Sequence, residues 1–436
     1  MRFLRWPANF LRGLFLFFFL LVVAAVYGIG RLWLWISVRD AAKRVSRVSR
    51  WRGRVMRRSM TMLGATFIKM GQVLSSRPDL LAPETIAELK ILQDRLPAFG
   101  YRRAARTIER ELGKPVGELF AELEEKPVAA ASVAQVHRAR LKDGTEVAVK
   151  ILRPSIRRQV ERDAVILLFG ARVLEISPRL RLNEPVNHLR HFVDAIIKQT
   201  DLSIEADNYQ RFTANFADTP DVLFPSVHRD LCSRSVLTME FMRGTRFDER
   251  NRTHDRELAR TVRNMMFKMC FADGFIHADL HPGNFFVRGE RDLIVFDAGM
   301  AKLLSDDILV QFVDFSRCLT MGTADDFVGH IKRFHTYIGE IDWAGLRKDI
   351  EVLLVRFRAQ NTARLEYSQL FADIFLIART YKARPVPDLT LVMVAMLTVQ
   401  GIGKELDPEN NVFQEVAGYL MPLLAKKGLL PTMAVN

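Results

Sequence analysis

Cysteine is scarce: three in 436 residues (Cys232, Cys270, Cys318), each in apolar surroundings and none in a CxxC or Cys/His ladder. That excludes a disulfide framework and a cysteine-built zinc site, and it fits a reducing compartment. Low-complexity linkers and internal repeats are missing too, so the length fits two or three domains or one two-lobed unit. Acid is missing from the start of the chain. Residues 1–58 hold thirteen Lys/Arg against Asp40 alone, which accounts for twelve of the net +14 charges. The remaining 378 residues carry only +2, so a DNA- or RNA-binding face is excluded as the chain's main business. A hydrophobic content of 49% with 26% charged residues predicts a folded body.

What stands among those basic residues is an uncharged apolar run, Gly13 to Gly30. Its length of ~27 Å matches a bilayer's hydrocarbon core. Arg31 can snorkel, so that Leu32 to Val38 extends the span or seats Trp33 and Trp35 at the interface. A cleaved signal peptide, a mitochondrial presequence or a buried core helix would share this pattern. The Arg excess after the run predicts a single span with the body in the cytoplasm, which for a bacterial chain means the inner membrane. Each basic residue of 31–58 adds ~1 kcal/mol of attraction to an anionic leaflet, so anionic lipids are expected partners.

Residues 60–112 read as short helices. From Glu118 the texture changes to Val-rich alternation, with Asp143-Gly144 as a hairpin turn and a third strand carrying Lys150. Helical patterns follow over Arg157 to Glu175 and Val186 to Phe216. Ser233 to Gly244 reads as a strand with a Gly-bearing connector. Beyond it the chain is mostly helical, apart from short strands on either side of Gly289. The predicted class is α+β, a two-lobed protein-kinase-like fold with an N-terminal helical extension and a transmembrane helix. The expected segments are 1–58 anchor, 59–115 extension, 116–242 N-lobe, 243–412 C-lobe and 413–436 tail.

The stretch "FIHADLHPGNFFV" raises the question of why two histidines and an aspartate sit in apolar sequence. His277 and His281 have helix-zinc spacing, but Ala278 stands where a metalloprotease needs glutamate, and Pro282-Gly283 ends any helix. A plain structural turn is the bland alternative. Asp279 and Asn284 show the D-x-x-x-x-N spacing of a phosphoryl-transfer loop, in which Asp orients or deprotonates the nucleophile and Asn holds Mg²⁺. Asp297 follows a strand and precedes a glycine by two residues, where a second magnesium-binding carboxylate is expected. Lys150, late in a strand, can reach the α/β-phosphates of ATP, and Glu205 on a later helix can pair with it. Asp201 lies four residues before Glu205, which on a continuous helix puts both carboxylates on one side. Each match alone is weak, and Lys150 or Glu205 alone reads better as an edge-strand lysine or a solvated helix charge. The order of all of them is the signal.

Two absences argue against an ordinary protein kinase. No G-x-G-x-x-G precedes Lys150; "VAAASVAQVH" stands there, and each alanine Cβ restricts close phosphate approach. After "DAGM" another helical pattern begins at once, leaving no long activation segment and no peptide-docking platform.

Together these residues resemble the UbiB family of atypical kinases, the kinase-like ATPases linked to ubiquinone biosynthesis. "FIKMGQVLSSRPDLL" is similar to that family's K-x-G-Q segment (Lys69, Gly71, Gln72). "AAASVAQVH", "VAVK", "HADLHPGNFFV" and "LTVQGIGKELDPENNV" are similar to its Ala-rich loop, nucleotide lysine, catalytic loop and a C-terminal segment. The resemblance covers roughly residues 60–412. It implies that Lys69 reaches back over the active site and restricts access for protein substrates, with Gln72 and Asp201 in the same regulatory set. It implies that the Ala-rich loop (Ala130, Ala131, Ser132, Val133) contacts ATP and favours hydrolysis over protein phosphorylation. Phe241 and Met242 are expected at the adenine. Polyprenyl quinone intermediates and quinone-biosynthesis enzymes are implied partners. Two departures stand out. Gln199 replaces the acid of the family's E-x-D, and Ala298 replaces the phenylalanine of D-F-G. The rival readings are a pseudokinase scaffold that binds nucleotide and lipid without turnover, and a small-molecule phosphotransferase.

Overall fold

The computed structural model describes residues 6–75, 81–92, 98–176, 185–247, 255–337, 339–359, 367–409 and 412–427. Residues 76–80 of the K-x-G-Q segment and 410–411 of the C-terminal segment lie outside them. The chain forms two compact units, Met1–Ala206 with Val227–Phe241, and Asp207–Ser226 with Met242–Asn436.

The first unit opens with α1 (Trp6–Ser37) and α2 (Ala41–Leu63). Asp40 starts α2, its carboxylate accepting the Lys43 N–H at 3.0 Å. Next come α3 (Ala65–Ser75), α4 (Pro83–Leu89), α5 (Tyr101–Leu112) and α6 (Val116–Leu119). In α3, Gly71 lies against side-chain ends: a Cβ there would stand 2.2 Å from Leu92 Cδ1 and 2.7 Å from Met60 Sδ, so both side chains would have to move. The sheet contains β1 (Glu122–Leu123), β2 (Ala129–Ala130), β3 (Ala134–Arg140), β4 (Glu146–Leu152) and β6 (Val236–Glu240), in the order β1-β3-β4-β6 with β2 on β3. All pairings are antiparallel. The β3–β4 turn falls at Asp143-Gly144, with Gly144 at φ +91° and the Asp143 carboxylate accepting the Thr145 N–H.

Alternation along β4 decides the site. Val147, Val149 and Ile151 join Ile108 of α5, Phe120 and Val236 in one core, so Lys150 points from the other face. Three helices follow: α7 (Ile156–Leu174), α8 (Pro185–Gln199) and α9 (Leu202–Asn215), the last belonging to the second unit from Asp207 onward. The single helical pattern expected over 186–216 is therefore broken at Thr200-Asp201. The physical reason is a new N-cap: the Asp201 carboxylate accepts the Ser203 N–H and Oγ–H, at 3.2 and 2.5 Å.

The second unit has a sheet of β5 (Val222–Leu223), β10 (Asp292–Val295), β9 (Phe285–Arg288) and β7 (Thr245–Arg246), in that order, with β5 parallel to β10. A two-stranded pair joins β8 (Phe275–His277) to β11 (Ala301–Leu303). Its helices are α10 (Arg256–Phe267), α11 (Ile308–Thr320), α12 (Ala324–Phe334), α13 (Trp343–Ala359), α14 (Tyr367–Thr380), α15 (Pro387–Leu406) and α16 (Val412–Lys426), with a small β12 (Thr336–Tyr337) and β13 (Ala383–Arg384) pair. A π-turn, Lys268–Ala272, follows α10 and leads into β8. By length and apolarity α15 could cross a bilayer, but 61% of its apolar window is buried, and it packs against α10, α11 and α16 as the unit's core helix. The C-terminal motif ties this core down. Asp407 and Glu409 receive Arg256, and the Leu406 carbonyl accepts the Asp255 N–H at the start of α10.

Candidate active site

In the first unit, Lys150 and Glu205 meet. The Nζ donates to both carboxylate oxygens at 2.8 Å, and the glutamate is 3% exposed. The lysine is held laterally by β4, where Lys150 registers with Val136 of β3 and Leu237 of β6. Asp201 does not join this pair. Outside the helix proper, it lies 3.4 Å from Arg234 and 3.7 Å from Arg157, so the shared-side argument from four-residue spacing does not apply.

The Ala-rich loop is a tight β2–β3 hairpin, clamped from β4's end. The Ala131 N–H donates to the Ala134 carbonyl, and the Arg153 N–H to the Val133 carbonyl. The Arg153 guanidinium donates through Nε and Nη2 to the Ala131 carbonyl at 2.9 and 2.8 Å, while stacking on Phe99. Arg153 is a functional candidate that sequence reasoning missed. Ser132 and Val133 are buried in this loop. His137, from the same stretch, is structural: Nδ1 donates to the Glu124 carbonyl at 2.7 Å, Nε2 meets Gln135, and burial holds its pKa below the usual imidazole range. Phe241 continues from β6, its N–H on the Glu146 carbonyl and its ring under Arg138. Met242 is the first residue of the second unit's long segment.

Lys69 is 6% exposed on α3. Gln72 donates to the Leu92 carbonyl at 3.2 Å, while its Oε1 is buried without a partner among the described residues. The same holds for both side-chain polar atoms of Gln199, so the position where the family carries an acid holds an unsatisfied amide.

In the second unit one network joins the two loops. The Asn284 Nδ2 donates to the Asp279 carbonyl at 2.9 Å, and the Asn284 carbonyl accepts the Phe296 N–H, immediately before Asp297. His277 makes the same link from the other side. Its Nδ1 accepts the Asp279 N–H at 3.3 Å, so the proton sits on Nε2, 3.2 Å from the Phe296 carbonyl. Burial lowers its pKa, against the pull of the Asp279 and Asp297 carboxylates. The histidine in the apolar stretch is thus a neutral strut. His281, exposed, accepts the Gly283 N–H through Nδ1 and shapes the turn.

Asp297 adopts φ +59°, a left-handed conformation that costs a non-glycine residue free energy. Two residues of α9 hold it there. The Asp297 N–H donates to Tyr209 Oη at 2.8 Å, and Asn208 Nδ2 donates to the Ala298 carbonyl at 2.8 Å. Ala298 is 1% exposed. Neither helper was evident in sequence. Polar residues six and seven positions into an ordinary helix carry no local signal.

The residues fit a magnesium ion. With Nδ2 committed to Asp279, the amide oxygen is the atom of Asn284 left to face a cation, and Asp297 adds a carboxylate from the loop hydrogen-bonded to it. Among the described residues no group of three or more His, Cys, Asp or Glu forms a protein-only metal cage. Two hard oxygens with the remaining positions left to phosphate and water is the usual magnesium arrangement.

A paired strand lysine and a D-x-x-x-x-N loop tied to a second carboxylate define a kinase-like protein. The chain belongs to the ABC1, or UbiB, family of atypical kinase-like proteins: the ABC1 atypical kinase-like domain matches residues 91–322, and the UbiB helical domain matches residues 350–411. Proteins named probable protein kinase UbiB from Pseudomonas putida and Tolumonas auensis are each 32% identical to it, over 85% of this chain and 70% of theirs. The one from Pseudomonas aeruginosa is 30% identical over 89% of this chain and 73% of its own. A solved structure, the complex of Rv3197 with erythromycin from Mycobacterium tuberculosis, shares the fold, with a TM-score of 0.58 and 21% identity over 76% of this chain and 85% of that one.

Proposed function

We propose that this protein binds ATP with magnesium and breaks the bond between the γ-phosphorus and the β–γ bridging oxygen, in support of polyprenyl quinone synthesis at a membrane. Lys150, aligned by Glu205, would grip the α/β-phosphates. Asp279 would accept the proton of the attacking hydroxyl or water as its oxygen bonds to phosphorus and ADP departs. Asn284 Oδ1 and the Asp297 carboxylate would hold magnesium, whose chemistry is charge neutralisation on the phosphates. The clamped Ala-rich loop and the short run from Asp297 to α11 favour hydrolysis or a small acceptor over a protein substrate.

The observation that carries this reading is Asn284. Its side chain and its own carbonyl fasten the base-bearing loop and the metal-bearing loop into one network. The test is phosphate release by the full chain in anionic vesicles, with wild type compared against Asp279→Asn and Asp297→Asn, alongside binding of a fluorescent nucleotide. Turnover lost in both variants supports the enzyme. Wild-type binding without turnover under every lipid condition overturns it in favour of the scaffold.

A further inference from the structure

α1 is long and apolar enough to cross a bilayer, and only 6% of its apolar window is buried. Yet it is not a free rod. Leu16, Phe19, Val23, Tyr27, Gly30 and Leu34 form a half-buried to buried seam, while Phe17, Phe18, Leu21, Val22, Trp33 and Ile36 stay exposed. The seam lies against α2, which runs back antiparallel. Trp51 Nε1 meets the Tyr27 carbonyl at 3.4 Å, and a Cβ on Gly30 would stand 2.3 Å from that same nitrogen. At the far end, Arg12 Nη2 donates to the Leu63 carbonyl at 3.2 Å. Leu16 enters a core with Met60, Leu63, Phe67, Ile68, Leu89 and Leu92.

Arg12 settles the geometry. Its Nε pairs at 3.1 Å with Asp163, a fully buried carboxylate about two turns into α7, the helix that follows the strand carrying Lys150. Arg12 and Arg31 are separated by ~28 Å along a straight helix. If α1 crossed the bilayer with Arg31 and the folded unit on one side, Arg12 would emerge on the other and could not reach Asp163. Nor could α2 accompany it, because Lys43, Arg44, Arg47, Arg50, Arg52, Arg54, Arg57 and Arg58 would be drawn into hydrocarbon.

We propose that the α1–α2 pair seats the protein in one leaflet of an anionic bilayer. α1 lies in the membrane plane with its outer face among acyl chains, and the basic flank of α2 meets lipid phosphates. The apolar face of α2 is covered by α1, α3 and α4, so α2 offers its cationic side while α1 contributes the apolar side. Exposed Arg31, Arg39, Lys43, Arg47 and Arg50 border the apolar face, the charge pattern an anionic surface complements. The seating needs no assumption about catalysis.

The test uses the full chain with Asn9→Cys and Cys232→Ser, since Cys270 and Cys318 are buried. It is reconstituted in phosphatidylethanolamine–phosphatidylglycerol vesicles with the catalytic body outside. A membrane-impermeant maleimide should label position 9 equally before and after detergent, and flotation with vesicles should fall sharply when phosphatidylglycerol is replaced by phosphatidylcholine. Arg12→Asp should weaken flotation, and adding Asp163→Arg should restore it. Labelling only after detergent would establish a crossing helix and overturn the proposal. Equal labelling with flotation indifferent to lipid charge, or with cross-linking between copies through position 9, would also overturn it, assigning the exposed face to neutral lipid or to a second copy.

Discussion

Lys150 Nζ stands 2.8 Å from both oxygens of Glu205, an almost fully shielded carboxylate. The pair has a stability consequence separate from nucleotide binding. Lys150→Met should take from the buried Glu205 carboxylate its ammonium partner and cost ~3–5 kcal/mol. Lys150→Met with Glu205→Leu removes both charges and should recover much of the lost melting temperature, while nucleotide affinity stays lost in both. Thermal melts with a fluorescent-nucleotide titration check this. A double variant melting no higher than Lys150→Met would mean that the carboxylate finds other compensation.

Asp297 depends on α9 for its left-handed backbone. Tyr209→Phe leaves the Asp297 N–H without its acceptor, a loss of ~1–3 kcal/mol when buried. The expected signature is a raised magnesium requirement and a lower kcat, with KM for ATP less affected. Asn208→Ala should shift both in the same direction by releasing the Ala298 carbonyl. A magnesium titration of ATP hydrolysis is the readout. Equal magnesium dependence in all three proteins would show that the loop holds its shape unaided.

The Ala-rich loop is restrained twice, by alanine side chains and by the Arg153 fork on the Ala131 carbonyl. Ala130→Gly or Ala131→Gly should raise autophosphorylation, because glycine lets backbone come closer to phosphate. Arg153→Met should act in the same direction and speed amide exchange over residues 131–134. Autophosphorylation unchanged in all three would remove the loop as the restraint.

What could be read from the sequence was the part whose chemistry is local in the chain. Lys150, Asp279, Asn284 and Asp297 sit on spacings that a single strand or loop fixes, and β4 and the 279–284 turn formed as their residue types dictate. The break at Thr200-Asp201 was readable as well, since Asp immediately before an apolar-periodic run is an N-cap signal; the longer apolar periodicity masked it. Asn208, Tyr209 and Arg153 were not legible because their roles exist only once separate elements meet. The α1–α2 pairing was not legible for another reason. Hydropathy reads only the apolar run, whereas the Arg12–Asp163 pair joins positions far apart in the chain and exists only once α1 and α7 meet.

The second unit should lose stability on mild acidification, and His335 is a main cause. It lines an apolar cavity of about 30 Å³ with Phe315, Phe327, Ile350, Phe375 and Leu389, and its Nδ1 is buried without a partner among the described residues. Burial, with His330 beside it at 5.6 Å between ring centroids, pushes its pKa down to about 3 from 6.5. Burial also lowers His330, although Asp314 pulls it upward. Below pH 6.5 the unfolded chain therefore binds protons that the folded chain refuses, so stability is full above that pH and falls progressively toward pH 3. From pH 6.5 to 5.5 one such histidine removes ~1 kcal/mol. Asp314 is held low against its burial by His330 and Arg333, so its contribution is lost only at lower pH, outside this window. His335→Phe keeps an aromatic ring against His330 and cannot take a proton. Its melting temperature should therefore exceed that of wild type by more at pH 5.5 than at pH 7.5. Parallel melting curves across that range would show that His335 becomes protonated in the folded state.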